Sequence, residues 1–366
     1  MTTGEQDELE QLRAEVRALR MEISATELDM RLADRDREYR QRMAYLDNAT
    51  ANLGVDDDLA NEQLAKLLSI VKASVAEVHT QGYVILPNLL TAPQVERLRD
   101  AMAPFFAATR RMFGERGPQS SRQTIHIQNV LAKSRAADDV AVNPLLRAIV
   151  SGVLGHDFLL NAGAIAMSPD PGCSPQDLHR DDGCYALLPR PRLPVVVTAA
   201  IALDDFTKEN GGTRIVAGSC CWPASRRPTP GEVSQIEMPA GSLLLYDGAI
   251  FHGGGANTTR DQPRRTLAFN YTRGWLRTQF NQYLSIPRNL ILSLPPQLQS
   301  DLGYHLNARG LGGCDNQDPL AYLKRMLENG GEGAQPLLGR EVDDTRAIDA
   351  CTKSRSIERP QRESAN

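Results

Sequence analysis

No stretch of this chain stays apolar long enough to span a bilayer, which takes about 20 consecutive residues of that kind. The formal net charge of −4 supplies no basic field for nucleic acid or for an anionic membrane surface. Aromatic residues are scarce, at 5%. Cysteine is sparse too: Cys173, Cys184, Cys220, Cys221, Cys314 and Cys351 contain no CxxC pair, which removes support for a zinc finger. The N-terminus is acidic and polar, unlike a secretory signal, so free thiols and a soluble cytoplasmic protein are expected. Neither nucleic acid nor a membrane is expected as a partner.

What is present is enough chain, 366 residues, for one large domain or two modest ones with a sizeable core. Residues 5–45 lack Gly and Pro and place Leu9, Leu12, Val16, Leu19, Ile23 and Met30 at heptad a and d positions. Thr26 and Ala33 weaken the later part of that seam. Two readings stand: a coiled coil that makes a homodimer through residues 5–45, or a single amphipathic helix packed on the body. Asn48–Asp58 is a polar break, and a second helix is expected over Leu59–His79. Tyr83–Leu86 reads as a short strand ended by Pro87. Thr91 caps the next helix, with Gln94 as its capping-box partner. Arg110–Ser121 reads as loop, and Thr124–Leu131 alternates like a strand.

From Asp157 onward, short apolar runs are punctuated by Gly, Pro, Asp and Asn: FLLNAGAIAM, PVVVTAAIAL, TRIV, SLLLYDG and RTLAFNYT. That pattern predicts an all-β barrel or sandwich over about residues 157–275. The fold class is therefore mainly β with flanking helices (α+β) and an N-terminal helical extension. The expected domains are a helical segment 1–47, a main domain 48–310 and a C-terminal extension 311–366 that is partly disordered.

The chemistry gathers at QDLHRDDGCY, residues 176–185. If this stretch is extended, His179 and Asp181 project from one face, because strand side chains alternate. A lone HxD is weak, and on its own a glycine-ended polar cluster is more simply a surface turn. His252 strengthens it, since it ends an apolar run beside Gly253–Gly255, where small residues let a ligand approach. The bland alternative is a histidine that ends a strand. His79, His126, His156 and His305 lack such a setting and read as structural or exposed. Arg264 and Arg265 open a strand, so one should face inward. A buried guanidinium needs a carboxylate, which a dicarboxylic cosubstrate would supply. Two histidines and a carboxylate leave open positions that suit non-haem Fe(II) and O2 chemistry. Asn210-Gly211-Gly212 reads as a tight connection between strands.

These segments resemble the phytanoyl-CoA dioxygenase-like branch of the Fe(II)/2-oxoglutarate-dependent oxygenases, from about Gly82 to Tyr304. The similarity runs through GYVILPNLL, QDLHRDD, ALDDFTKENGGTRIVAGS and GSLLLYDGAIFHGGGANTTRDQPRRTLAFNYTRGWLR. The resemblance implies a double-stranded β-helix (jelly-roll/cupin-like) core. It implies that His179, Asp181 and His252 ligate iron, and that Arg264, with Arg265 the alternative, binds the distal carboxylate of 2-oxoglutarate. Gln128, Gln176, Thr198 and Thr213 would line the cosubstrate pocket. Where family members often carry Pro-Gly-Ser-His, this chain has Ala217-Gly218-Ser219-Cys220. Halogenases of this chemistry replace the carboxylate ligand by Gly or Ala, so Asp181 implies hydroxylation or a related oxidation. The expected activity is O2-dependent oxidation of a C–H bond in a small hydrophobic molecule, a natural-product intermediate or acyl derivative, releasing succinate and CO2. The alternatives are a non-catalytic barrel dimerising through its N-terminal helix and a metal-dependent jelly roll that uses no 2-oxoglutarate.

Overall fold

The computed structural model describes residues 25–47, 58–115, 124–307, 309–315 and 317–328. It divides into two compact units, Met1–Asn281 and Gln282–Asn366. In the first, the apolar runs become two antiparallel sheets. The larger uses β1 (Tyr83–Leu86), β2 (Ile125–Ile127), β3 (Phe158–Ser168), β4 (Val196–Ala202), β7 (Leu243–Asp247) and β9 (Thr266–Arg273), in the order β1-β7-β4-β9-β3-β2. The smaller has β5 (Arg214–Ile215), β6 (Ser234–Gln235) and β8 (His252–Gly253), in the order β6-β5-β8. Strands β4 and β7 are buried at every position, which is why their sequences run apolar instead of alternating. The sequence expectation of strands with flanking helices matches this antiparallel-sheet and helix architecture.

Three longer helices flank the sheets. Residues 25–47 form α1, followed by α2 (Asp58–Gln81) and α3 (Ala92–Glu115). Two shorter ones, α4 (Asp138–Ala141) and α5 (Pro144–Leu154), precede β3. Thr91 and Gln94 make the anticipated cap contact, with the Thr91 N–H donating to Gln94 Oε1 at 2.8 Å. Helix α3 runs beyond Arg110, where the polar composition suggested loop. Arg110 holds that turn by pairing with Asp170 (2.9 Å) and lying over the Phe106 ring.

Helix α1 packs on the body. Tyr39 stacks on His79 at 3.9 Å, and Glu38 meets Arg273 at 3.0 Å. Arg42 donates to the carbonyls of Val153 and Leu154, the last of α5, where a cation also suits the helix dipole. For residues 25–47 this is the packed-helix arrangement. Residues 5–24, which carry most of the heptad seam, lie outside the described residues.

The NGG turn carries the chain from β4 toward β5, across the two sheets. Gly211 has φ +86°, and a Cβ there would stand 2.7 Å from the Gly255 carbonyl oxygen. Glycine at both places lets the two backbones touch.

The second unit consists of short helices, α6 (Gln282–Ser285), α7 (Arg288–Ile291), α8 (Pro296–Asp301) and α9 (Pro319–Glu328). Its prolines explain why no long period was visible: Pro287 and Pro295 stand at the N-caps of α7 and α8, and Pro296 opens α8. Of the extension 311–366, expected to be partly disordered, Pro319–Glu328 is helix α9, and residues beyond 328 lie outside those described. No described helix is long and apolar enough to cross a membrane.

Candidate metal centre and active site

His179 does not lie on a regular strand, and this corrects the reading of QDLHRDD as one. It forms an isolated antiparallel bridge with His252, closed by N–H···O bonds of 2.9 and 3.0 Å in the two directions. Asp181 then opens a short 3₁₀ turn, Asp181–Tyr185. The bridge, not side-chain alternation, brings the two imidazoles together, with ring centroids 4.5 Å apart.

Each imidazole is oriented in the same way. His179 Nδ1 lies 2.9 Å from the Asp177 carbonyl, and His252 Nδ1 lies 3.1 Å from that of Ile250. A carbonyl only accepts, so both protons sit on Nδ1 and both Nε2 lone pairs are free. Those Nε2 atoms point at one oxygen, Asp181 Oδ1, at 3.7 Å from His179 and 3.4 Å from His252. The three donor atoms all fall within 4.8 Å of one another, and two imidazole nitrogens with one carboxylate suit a first-row dication with open positions. His252 is buried while His179 is exposed, so the site opens on the His179 side.

The electrostatics favour an ionised carboxylate. Burial pushes Asp181 up, but attraction to His252 and a hydrogen bond from Thr198 hold it down at about 2. Burial pushes His252 down, yet Asp181 lifts it above its ordinary value.

The triad opens into a cavity of about 260 Å³ lined from both sheets. Gln128, Gln176, Thr198, Thr213 and Arg264 all line it. Arg264 is 4% exposed, donates to Thr266 Oγ1 at 3.0 Å and lies over the Phe206 ring. Its Nε has no partner, no ion pair among the described residues includes it, and burial lowers its guanidinium to about 10. Arg265 turns outward and binds both oxygens of Asp204, at 2.8 and 2.7 Å. Thr198 donates to Asp181 Oδ2 at 2.7 Å, and Gln176 accepts the Gly254 N–H at 2.8 Å.

Several lining residues escaped the sequence reading. Tyr246 packs 4.5 Å from His252, and its place in an apolar strand gave no polar signal. Asn270, Gln279 and Phe280 also line the cavity. So does His126, although it was grouped with the structural or exposed histidines. It is exposed, as that reading allowed, but stands at the cavity. The glycine cluster has a reason beyond ligand space: a Cβ at Gly253 would lie 3.0 Å from the Asp177 carbonyl oxygen, and one at Gly255 2.7 Å from that of Gly212. Arg190 and Arg192 are paired with Asp182. Arg180 lies over the Phe251 ring and donates to Ser219 O at 3.0 Å.

Two sheets around a cavity with a two-histidine, one-carboxylate face define a non-haem oxygenase type of site. The family described as phytanoyl-CoA dioxygenase (PhyH) matches residues 78–266. The chain belongs to this family, a branch of the Fe(II)/2-oxoglutarate-dependent oxygenases, and is an enzyme of the dioxygenase class. Similar proteins include "Dioxygenase swnH1" of Metarhizium robertsii, 29% identical over 69% of this chain and 89% of that protein. "Dioxygenase swnH2" of Arthroderma benhamiae is 36% identical over 43% of this chain and 52% of its own. Among solved structures, HygX from Streptomyces hygroscopicus with nickel and 2-oxoglutarate bound is 18% identical, with a TM-score of 0.46 over 57% of this chain and 88% of that one.

Proposed function

We propose that His179, Asp181 and His252 hold Fe(II), that Arg264 receives the distal carboxylate of 2-oxoglutarate, and that O2 is consumed to oxidise a C–H bond of a small, largely apolar molecule. On this reading the two sheets are the two halves of a double-stranded β-helix, with the site between them. The observation that carries it is Arg264: a buried guanidinium with an orphaned Nε and no carboxylate partner among the described residues, in the same cavity as the three donor atoms. A buried cation of this kind is costly until an anion meets it, and a dicarboxylate reaching from the metal face would do so. The donor set also fits the metal, because both Nε2 atoms are free and no thiolate joins them among the described residues.

Iron with its cosubstrate supplies the oxidising chemistry, yielding succinate and CO2. The chain supplies placement. Asp177 and Ile250 carbonyls fix the imidazole tautomers. Gln176 and Thr213, with Gln128 from β2's side, border the cosubstrate region. Ala162, Ile165, Met167 and Phe280 form the apolar wall, which suits a natural-product intermediate or an acyl derivative and excludes water around the reacting carbon. Because Asp181 occupies the position that halogenases leave empty, oxidation by hydroxylation or a related step is the assigned outcome.

The test is succinate formation. Purified protein given Fe(II), 2-oxoglutarate and O2 is expected to release succinate slowly without a prime substrate, and 2-oxoglutarate is expected to raise its Tm in the presence of Mn(II). No succinate together with no bound metal would sink the reading.

A further inference from the structure

Thr198 lines the cavity, but its hydroxyl is already committed. The proton goes to Asp181 Oδ2 at 2.7 Å, and the oxygen accepts from Asn270 Nδ2 at 2.7 Å. Asn270 Oδ1 in turn accepts from Asn161 Nδ2 at 2.8 Å. Asn161 Oδ1 receives the Gln279 N–H at 2.7 Å and faces the Tyr185 hydroxyl at 2.9 Å. The Tyr185 hydroxyl also reaches the Arg277 carbonyl at 2.7 Å.

The polarity of this chain is forced from one end. An ionised carboxylate only accepts, so Thr198 must donate to it. Thr198 can then only accept from Asn270, which turns the Asn270 amide and, through it, the Asn161 amide. The Gln279 N–H fixes Asn161 independently from the other end. The links join β4, β9 and β3 with the 277–280 wall of the cavity, and Asn161 is fully buried while Asn270 and Thr198 are nearly so. The amides of Asn161 and Asn270 run in one sense, so flipping either breaks two bonds at once, and the pair is rigid.

The consequence falls on the two Asp181 oxygens. Oδ1 faces both imidazoles, while Oδ2 is held away by Thr198. We propose that the Asn161–Asn270–Thr198 chain is a positioning device that keeps Asp181 a one-oxygen ligand and so preserves the open metal positions that cosubstrate and O2 require. This rests on the metal-site reading above. None of the three residues touches the reacting atoms on this view; Asn161 and Asn270 act through Thr198, and Thr198 acts through Asp181.

The test uses full-length protein loaded with Co(II) in place of Fe(II), without oxygen or substrate, and reads affinity and the visible d–d spectrum. Thr198→Val is expected to weaken Co(II) binding about tenfold and to shift the spectrum as the freed Oδ2 also coordinates. Thr198→Ser, which restores the donor, is expected to return both readouts to the parent's. Asn270→Leu in the Thr198→Val background is expected to change neither readout further, since its route to Asp181 is already cut. Thr198→Ala removes the same hydroxyl and carries the test should Thr198→Val not fold. A hydroxyl-less variant matching the parent in either readout overturns the proposal. So does a Thr198→Ser that behaves like Thr198→Val, or an added loss in the double variant. Parent protein that takes up no Co(II) would instead sink the metal reading, and the positioning role with it.

Discussion

Two buried charged regions lie back to back at residues 181 and 182, and they are built on opposite terms. Behind the site, Asp182 is 1% exposed and binds both Arg190 and Arg192, so the chain closes its own charges. In the cavity, Arg264 has no ion-pair partner among the described residues, and two Nε2 lone pairs face one carboxylate oxygen. The same contrast recurs at 264 and 265, where the outward arginine is matched to Asp204 and the inward one is not. The lesson is that a charge paired within the chain shapes the fold, whereas a buried charge left unmatched points to a ligand.

Substitution at the two aspartates breaks this comparison most severely. Asp181→Ala is expected to abolish metal loading and succinate formation while the protein still folds, as judged by Mn(II) titration and circular dichroism. Next comes the arginine pair. Arg264→Ala is expected to raise the 2-oxoglutarate concentration for half-maximal succinate release about a hundredfold, the scale for truncating one partner of a buried charge pair. Arg265→Ala is expected to change it less than about threefold, since an ion pair near the surface contributes little. The reverse order would exchange the roles of the two arginines. Asp182→Asn is expected to leave cosubstrate affinity alone but cost about 3 kcal/mol in urea unfolding, by stranding Arg190 and Arg192. If it lost cosubstrate affinity without losing stability, the two regions would not be distinct.

Much of this was legible from residue order. The apolar runs gave the strands, Tyr83–Leu86 falls where the pattern put it, and the alternation rule required Arg264 and Arg265 to diverge. What was not legible depends on distant partners. His179 meets His252 through a single bridge between segments more than seventy residues apart, and no local period announces a bridge. Asn161 and Asn270 sit in runs that read as apolar, and become a polar pair only because β3 and β9 align. Helix α3 outruns its polar composition because Asp170, sixty residues later, holds Arg110. Glycines 253–255 stand out in the sequence, but their backbone contacts with Asp177 and Gly212 are invisible until the chain is folded.

Asp247, which feels the charges of Asp182 and Arg192, sharpens the comparison by a smaller effect, since one of its oxygens is left without a partner. It accepts the Ala249 N–H at 2.9 Å through Oδ1, while Oδ2 has no partner. Burial first, and then the negative charge of Asp182, raise its carboxyl from 3.8 to about 7, against the opposing pull of Arg35 and Arg192. Between those two values the folded protein holds a proton that the unfolded chain has released. Stability must therefore fall as pH rises from about 4 to about 7 and level off above, by at most roughly 1.4 kcal/mol per pH unit. Asp247→Asn keeps the shape and cannot titrate. Its urea midpoint should lack this decline, so the variant gains on the parent as pH rises from about 4 to about 7. An unchanged slope in Asp247→Asn would mean that Asp247 is as well matched as Asp182, and that the outer region closes all of its charges.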